Sequence, residues 1–238
     1  MRAWIGLATV WLAVGCGRVG FDADPIDVGT DAAADAYPTV SERQFGDGPN
    51  ADVSGATIDT SVLSGSPDEN CGACNNLYGG GGESGLLRFD LTSLDADTTI
   101  VDASVEVWLN SLHTLGGSVD IYVVREAWDE GDQESQDVGV ANWTERQPGV
   151  PWTGEGVGPG SRDDMPFQTS EPASLEAPLV VTLPPNVVQA WVADPSTNHG
   201  IVFQGRDYPG EGGDHPHFVS SENAAQPERR PVLVLRFR

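Results

Sequence analysis

The sequence predicts an all-β fold, an antiparallel β-sandwich with at most one short helix. Three observations carry this. First, apolar and polar residues alternate in short runs. Leu87, Phe89 and Leu91 alternate with Arg88 and Asp90, and Val101, Ala103, Val105, Val107 and Leu109 alternate with Asp102, Ser104, Glu106, Trp108 and Asn110. That period of two places one face of each strand in a core. Second, the runs are punctuated by polar turns, and the 238 residues include 29 glycines and 17 prolines, as many short strands require. Third, one segment has helical spacing. Val188, Trp191 and Val192 follow Pro185, a residue suited to the first turn of a helix.

In chain order, residues 1–15 read as a targeting segment. Arg2 precedes an apolar stretch, Trp4 to Val14, that is too short for a bilayer-spanning helix. It ends in Leu12-Ala13-Val14-Gly15-Cys16, which resembles a bacterial lipobox. The resemblance implies cleavage before Cys16 and lipid attachment there. An ordinary signal peptide followed by a chance cysteine is the competing reading. Gly17, not Asp, follows Cys16, which in Gram-negative lipoproteins favours the outer membrane. Residues 16–50 read as an acidic flexible tether. Asp22, Asp24, Asp27, Asp31 and Asp35 lie in Ala- and Gly-rich surroundings without an apolar period. Their spacing lacks the glycine turn and closing glutamate of an EF-hand loop, so they read as a solvated spacer.

Residues 51–238 then form one β domain, long enough to bury a core. Ala56 to Leu63 is its first expected strand. The loop after it holds Cys71 and Cys74. In an exported chain whose Cys16 is lipidated, these two have only each other to pair with. A disulfide competes here with a redox pair, which lacks a βαβ setting, and with half of a zinc site, which lacks a second half. The Gly79 to Gly82 run is not a phosphate loop, because no Lys-Ser/Thr follows it. Val101 to Asn110 is expected to form a hairpin with Ser118 to Arg125, in which Val119, Ile121 and Val123 point inward. Trp108 and Tyr122 then share an outer face, where aromatic rings either stack on sugars or pack beneath a loop.

The next stretch, Trp128 to Asp137, is an acidic loop. Asp129, Glu130 and Asp132, with Glu134 and Asp137 after them, are its candidate calcium ligands, since hard cations take loop carboxylates. A solvated acidic loop is the alternative. Gln147 to Pro178 is a long Gly/Pro/Asp-rich excursion carrying Trp152, Met165 and Phe167, a place for ligand-specific contacts. Leu179 to Leu183 is a strand, Pro185 to Val192 the helix, and Ile201 to Gln204, His217 to Ser221 and Val232 to Phe237 the closing strands. His215 and His217 share one strand face, but no third metal ligand is evident beside them.

The ordered pattern resembles a known family. LLRFDLTSL followed by TIVDASVEVWL, the corner Trp128-Asp129-Glu130 with Asn142-Trp143-Thr144, the step Asn198-His199-Gly200-Ile201, the step Phe218-Val219-Ser220-Ser221-Glu222 and the ending Arg230-Pro231-Val232-Leu233-Val234 occur in that order. Together they are similar to the DNRLRE domain, which is related to carbohydrate-binding module family 96 and to disaggregatase-related repeats. The resemblance runs from about Ala56 to the C-terminus. It implies a jelly-roll-like sandwich and a glycan-binding role, alginate binding being known among relatives.

Composition narrows the partners. The net charge is -24 and the sequence contains no lysine. Such a chain repels nucleic acid, anionic lipid surfaces and strongly acidic polysaccharides, the last unless arginines cluster or calcium bridges. A polysaccharide or envelope glycan that is neutral or weakly charged fits better. Three function classes follow. One is a non-catalytic glycan-binding module anchored through Cys16, with Trp108, Tyr122, Arg88 and Trp152 as the candidate sugar contacts. The second is a structural or adhesion module with a protein or matrix partner. The third is a polysaccharide-degrading enzyme, which requires two carboxylates facing a cleft.

Overall fold

The computed structural model describes residues 39–112, 118–132, 140–172, 174–206 and 216–238. The described strands are β1 (Ser41–Gly46), β2 (Thr57–Leu63), β3 (Ser66–Asn70), β4 (Asn76–Tyr78), β5 (Glu83–Phe89), β6 (Ile100–Val107), β7 (Leu109–Leu112) and β8 (Val119–Val123). After them come β9 (Glu145–Gln147), β10 (Val150–Pro151), β11 (Gln168–Ser170), β12 (Leu179–Thr182), β13 (Ile201–Gly205), β14 (Pro216–Val219) and β15 (Val232–Phe237). A single α-helix among the described residues, α1 (Pro185–Ala193), sits between β12 and β13.

Every pairing between these strands is antiparallel. A four-stranded sheet runs β1-β15-β6-β12 and a six-stranded sheet runs β11-β8-β13-β5-β2-β3. A three-stranded sheet, β4-β14-β7, and the small β9-β10 pair complete the set. The two large sheets share the main core. Ala103, Val105, Val107, Leu233 and Leu235 enter it from one, and Leu87, Phe89, Val119, Ile121, Ile201 and Phe203 from the other. This is the all-β sandwich that the alternation predicts, with inward residues of both sheets interdigitating.

Helix α1 contributes Val188, Trp191 and Val192 to the same core, the three residues singled out by helical spacing. Gln189 ties the helix to the start of β6: its Nε2 donates to the Thr98 carbonyl at 2.9 Å and its Oε1 accepts from the Ile100 amide at 2.9 Å. The three-stranded sheet adds Leu77, Leu109 and Phe218, whose ring lies 5.2 Å from that of Phe203. A register step between Arg236 and Phe237, opposite β6, lets Ile100 rather than Val101 face the core, the local effect of an extra residue in one strand.

The outer face of the six-stranded sheet is also covered. Val62, Leu86, Tyr122, Val124 and Val202 project from it into a second core, with Trp128, Trp143, Trp152 and Val157 from the 124–162 excursion. Glycine at position 156 is required there. Its φ is +63°, and a Cβ would collide with the Trp143 ring. Burial on both faces explains why Ser84, Gly85, Leu86 and Leu87 in β5 are all buried, despite lying in a period-two strand.

Two expectations are corrected. The folded domain begins before residue 51. Ser41–Gly46, placed in the tether by its polar sequence, pairs along its length with β15, and Phe45 is fully buried opposite Leu233. The expected hairpin between the strands carrying Trp108 and Tyr122 does not form. β6 pairs with β15 and β12, whereas β8 pairs with β13 and β11 in the other sheet. The targeting segment, Cys16 and the aspartates from Asp22 to Asp35 lie outside the described residues, as do Glu134, Asp137 and His215.

Candidate functional site

The residues expected to contact sugar fall in three different places. Tyr122 lies in the second core and is 8% exposed, with the Arg162 guanidinium 3.4 Å from its ring centroid. Burial beneath that excursion, and the Asp120 carboxylate near its hydroxyl, push its pKa up from the ordinary 10. Trp152 is 4% exposed in the same core and donates from Nε1 to the Asn142 carbonyl at 2.8 Å. Arg88 is half-buried, its guanidinium 4.8 Å from the Trp128 ring centroid. These three are packing positions: Tyr122 and Trp152 are held by ring contacts and hydrogen bonds, and Arg88 by its stacking on Trp128, its buried Nε having no partner among the described residues.

Trp108 stands apart from them. It joins β6 to β7 between the buried Val107 and Leu109, so its half-buried ring leaves on the solvent side. Asn110, two residues on, leaves on the same side. The neighbouring strands extend this face. In β4 and β14, Leu77 and Phe218 point into the core, which leaves Asn76, Tyr78 and His217 outward. Tyr78 and His217 meet edge to face, ring centroids 4.6 Å apart. From the turn before β15, Arg229 places its guanidinium 5.0 Å from the Trp108 ring centroid. That turn is set by Asn223, whose Oδ1 accepts from the amides of Ala225 and Gln226 at 3.1 and 3.0 Å.

One hydrogen-bond relay crosses this face. Arg229 Nη1 donates to Gln226 Oε1 at 3.5 Å, Gln226 Nε2 donates to Asn110 Oδ1 at 2.5 Å, and Asn110 Nδ2 donates to Asn76 Oδ1. An indole and a row of planar amides can engage both the apolar CH face and the polar edge of a sugar ring. Sequence parity found Trp108 and would also have found Asn110. It missed Asn76, Tyr78, His217, Gln226 and Arg229, because no local pattern says that β4, β14 and the 223–229 turn meet β7.

The calcium candidates do not converge. Glu130 turns inward, and its Oε1 accepts from the Asp59 amide at 2.6 Å. Asp129 Oδ1 accepts from Gln147 Nε2 at 3.3 Å, and Asp132 is exposed. Among the described residues, no group of three His, Cys, Asp or Glu side chains is placed to hold a metal ion.

Glu130 belongs instead to a knot of acids absent from the sequence reading. Asp59 is 1% exposed, and its Oδ2 accepts from the Ser221 amide at 2.8 Å. Ser221 Oγ donates to Glu222 Oε1 at 2.6 Å. Burial, then repulsion from Glu222, holds the Asp59 carboxyl well above the usual carboxylate range. Burial likewise raises Glu222, and raises Glu130 to about 7. Arg88 offsets part of this at Glu130 and Arg230 part at Glu222. A general acid must reach the glycosidic oxygen it protonates. Asp59 is too enclosed to do so, and its hydrogen bonds make it a structural tie between β2 and the 220–222 turn.

Cys71 and Cys74 form a disulfide, with Cα atoms 5.0 Å apart. Their loop packs on the same corner. Ser220 Oγ donates to the Cys74 carbonyl at 2.6 Å, and Asn70 Nδ2 donates to the Glu130 carbonyl at 2.7 Å. Comparison with protein-family models and with curated proteins finds no match for this chain.

Proposed function

We propose that this β-sandwich is a non-catalytic glycan-binding module, held at the cell envelope by lipid on Cys16, at the outer membrane of a Gram-negative bacterium. The observation that carries the binding reading is the face around Trp108. A half-buried indole stands there beside Asn76, Asn110, Gln226 and Tyr78 on one side of a small sheet. The resemblance to the DNRLRE domain points the same way. Arg229 over the indole is no obstacle, since an exposed cation–π contact contributes only about 0.5–1 kcal/mol and a sugar ring can replace it. Anchoring rests on the sequence Leu12 to Cys16. Among the described residues, no helix is long and apolar enough to cross a membrane.

The test is retention on immobilised neutral and weakly charged polysaccharides, with the supernatant assayed for released sugar. Retention without release is the expected result. Release of oligosaccharide would make the protein a degrading enzyme. Failure to retain any glycan, together with capture of an envelope protein, would make it an adhesion or structural module.

A further inference from the structure

The Trp108 face hangs from the disulfide loop on two sides. β4 brings Asn76 directly after that loop, and the 220–229 turn, which rests on it, brings Gln226 and Arg229. The first half of the loop is tied to the body of the domain. Asn70 is fully buried, and its Nδ2 donates to the Glu130 and Ala141 carbonyls at 2.7 and 2.6 Å. Its Oδ1 accepts from the Gly72 amide at 2.8 Å. A Cβ at Gly72 would collide with the Glu130 and Gly131 carbonyls, so the chain is pressed against the body there.

The second half holds the turn. The Cys74 carbonyl accepts from Ser220 Oγ at 2.6 Å, and the Asn75 carbonyl from Asn223 Nδ2 at 3.0 Å and the Ser220 amide at 3.4 Å. Asn223 is 3% exposed, and its Oδ1 takes the Ala225 and Gln226 amides. It therefore links the loop to the segment that sets Gln226 beside Asn110 and Arg229 over Trp108. Besides the chain itself, the two halves are joined by the disulfide and by the Cys74 amide, which donates to the Cys71 carbonyl at 3.3 Å. The ends of the turn have other ties: the Ser221 amide donates to Asp59, and Arg230 Nη1 to the Asp47 carbonyl at 3.1 Å. Its middle depends on Asn223.

We infer that the Cys71–Cys74 disulfide is a redox latch on the Trp108 face. Closed, it fixes the carbonyls of Cys74 and Asn75; reduced by a dithiol, it frees them, and the middle of the turn withdraws Gln226 and Arg229 while the two cores stay packed. Exchange begins with thiolate attack on one sulfur. Cys71 is 6% exposed and Cys74 is half-buried, so attack falls on Cys74. The mixed disulfide forms there and Cys71 leaves as a thiol. The reductant's second thiol then displaces Cys74. Both cysteines end as thiols, and the dithiol, having given two electrons and two protons, ends as a disulfide. The cores survive because β4 keeps its pairing with β14 from Asn76 on, with Leu77 still beside Phe218. Such a local opening differs from global unfolding.

The experiment is two-dimensional NMR of the full chain, oxidised, treated with dithiothreitol and reoxidised, with thiol alkylation of the 71–74 peptide to confirm each state. On reduction the Trp108 indole and the Gln226 and Asn110 side-chain amides should shift, and on reoxidation return. The Trp128 and Trp152 indoles should stay in place. Asn223→Ala should move the same signals with the disulfide intact; should it fold poorly, Ser220→Ala, which removes the bond to the Cys74 carbonyl, takes its place. A disulfide that dithiothreitol leaves intact in the folded protein would overturn the latch. So would reduction that leaves the Trp108 signals unmoved, or that moves all the indoles together, since either makes the bond a structural staple. None of these readouts needs a ligand. The consequence for binding rests on the glycan-binding reading: retention on polysaccharide should be lost on reduction and regained on reoxidation. Reversible shifts without retention in either state would uphold the latch and remove the glycan-binding reading.

Discussion

Replacing Glu130 by glutamine should stabilise the fold, and only at higher pH. In the folded chain, burial lifts the Glu130 pKa from the ordinary 4.5 to about 7, with Glu222 and Asp47 adding to the shift and Arg88 opposing it. Between those two values the folded protein holds a proton that the unfolded chain has released. Stability therefore falls as pH rises from about 4.5 to about 7, and the full penalty applies above that. The difference, 7 − 4.5, converts at 1.36 kcal/mol per pH unit to about 3.4 kcal/mol. Glu130 is partly open to solvent, and screening reduces this to roughly 1–2 kcal/mol. Glutamine keeps an oxygen for the Asp59 amide and carries no charge. Urea denaturation at pH 8 should show Glu130→Gln more stable than wild type by roughly 1–2 kcal/mol, or a melting temperature higher by about 2–8 °C. At pH 4 the two proteins should agree within about 0.5 kcal/mol. A variant less stable than wild type at pH 8, by more than at pH 4, would show that Glu130 acts as an ionised, favourable acceptor, which refutes the reasoning.

Three further outcomes are expected. Converting Cys71 and Cys74 together to serine should lower stability by about 2 kcal/mol, because the closed loop is short; peptide mapping without reduction should find both thiols blocked in the wild type. Trp152→Ala should destabilise by about 3–5 kcal/mol, as an emptied core position does, and denaturation by urea measures it. Intact mass of the membrane-extracted protein should begin at an acylated Cys16, and Cys16→Ser should leave the membrane fraction.

Most strand positions were legible because alternation is local. Val119, Ile121 and Val123 face the main core as their parity requires, and Trp108 faces outward for the same reason. Pairing was not legible. Alternation fixes which face of a strand is buried but not which strand lies beside it, so β6 and β8 were joined in a hairpin that the sheet order does not contain. Tyr122 shows a second limit. Its strand parity leaves a sugar platform and packing beneath a loop equally open, and the excursion after it carries Trp128, Trp143 and Trp152, which cover it. Three tryptophans in one irregular stretch were the available signal of a second core. β1 escaped notice because SERQFG has one large apolar residue, Phe45, and gains its strand form from β15. The acid knot joins residues 71 and 162 positions apart, a separation over which no sequence spacing carries information.

The central claim is that glycan lands on the Trp108 face and not on the excursion. Two-dimensional NMR of the amide and indole N–H groups during titration with a retained oligosaccharide tests it most directly. The predicted result is movement of the Trp108 indole signal and of the side-chain amides of Asn76, Asn110 and Gln226. The indoles of Trp128 and Trp152, which are buried and donate to the His199 and Asn142 carbonyls, should stay in place. Movement of the Trp152 or Trp128 indole, with the small-sheet amides unchanged, would contradict the account.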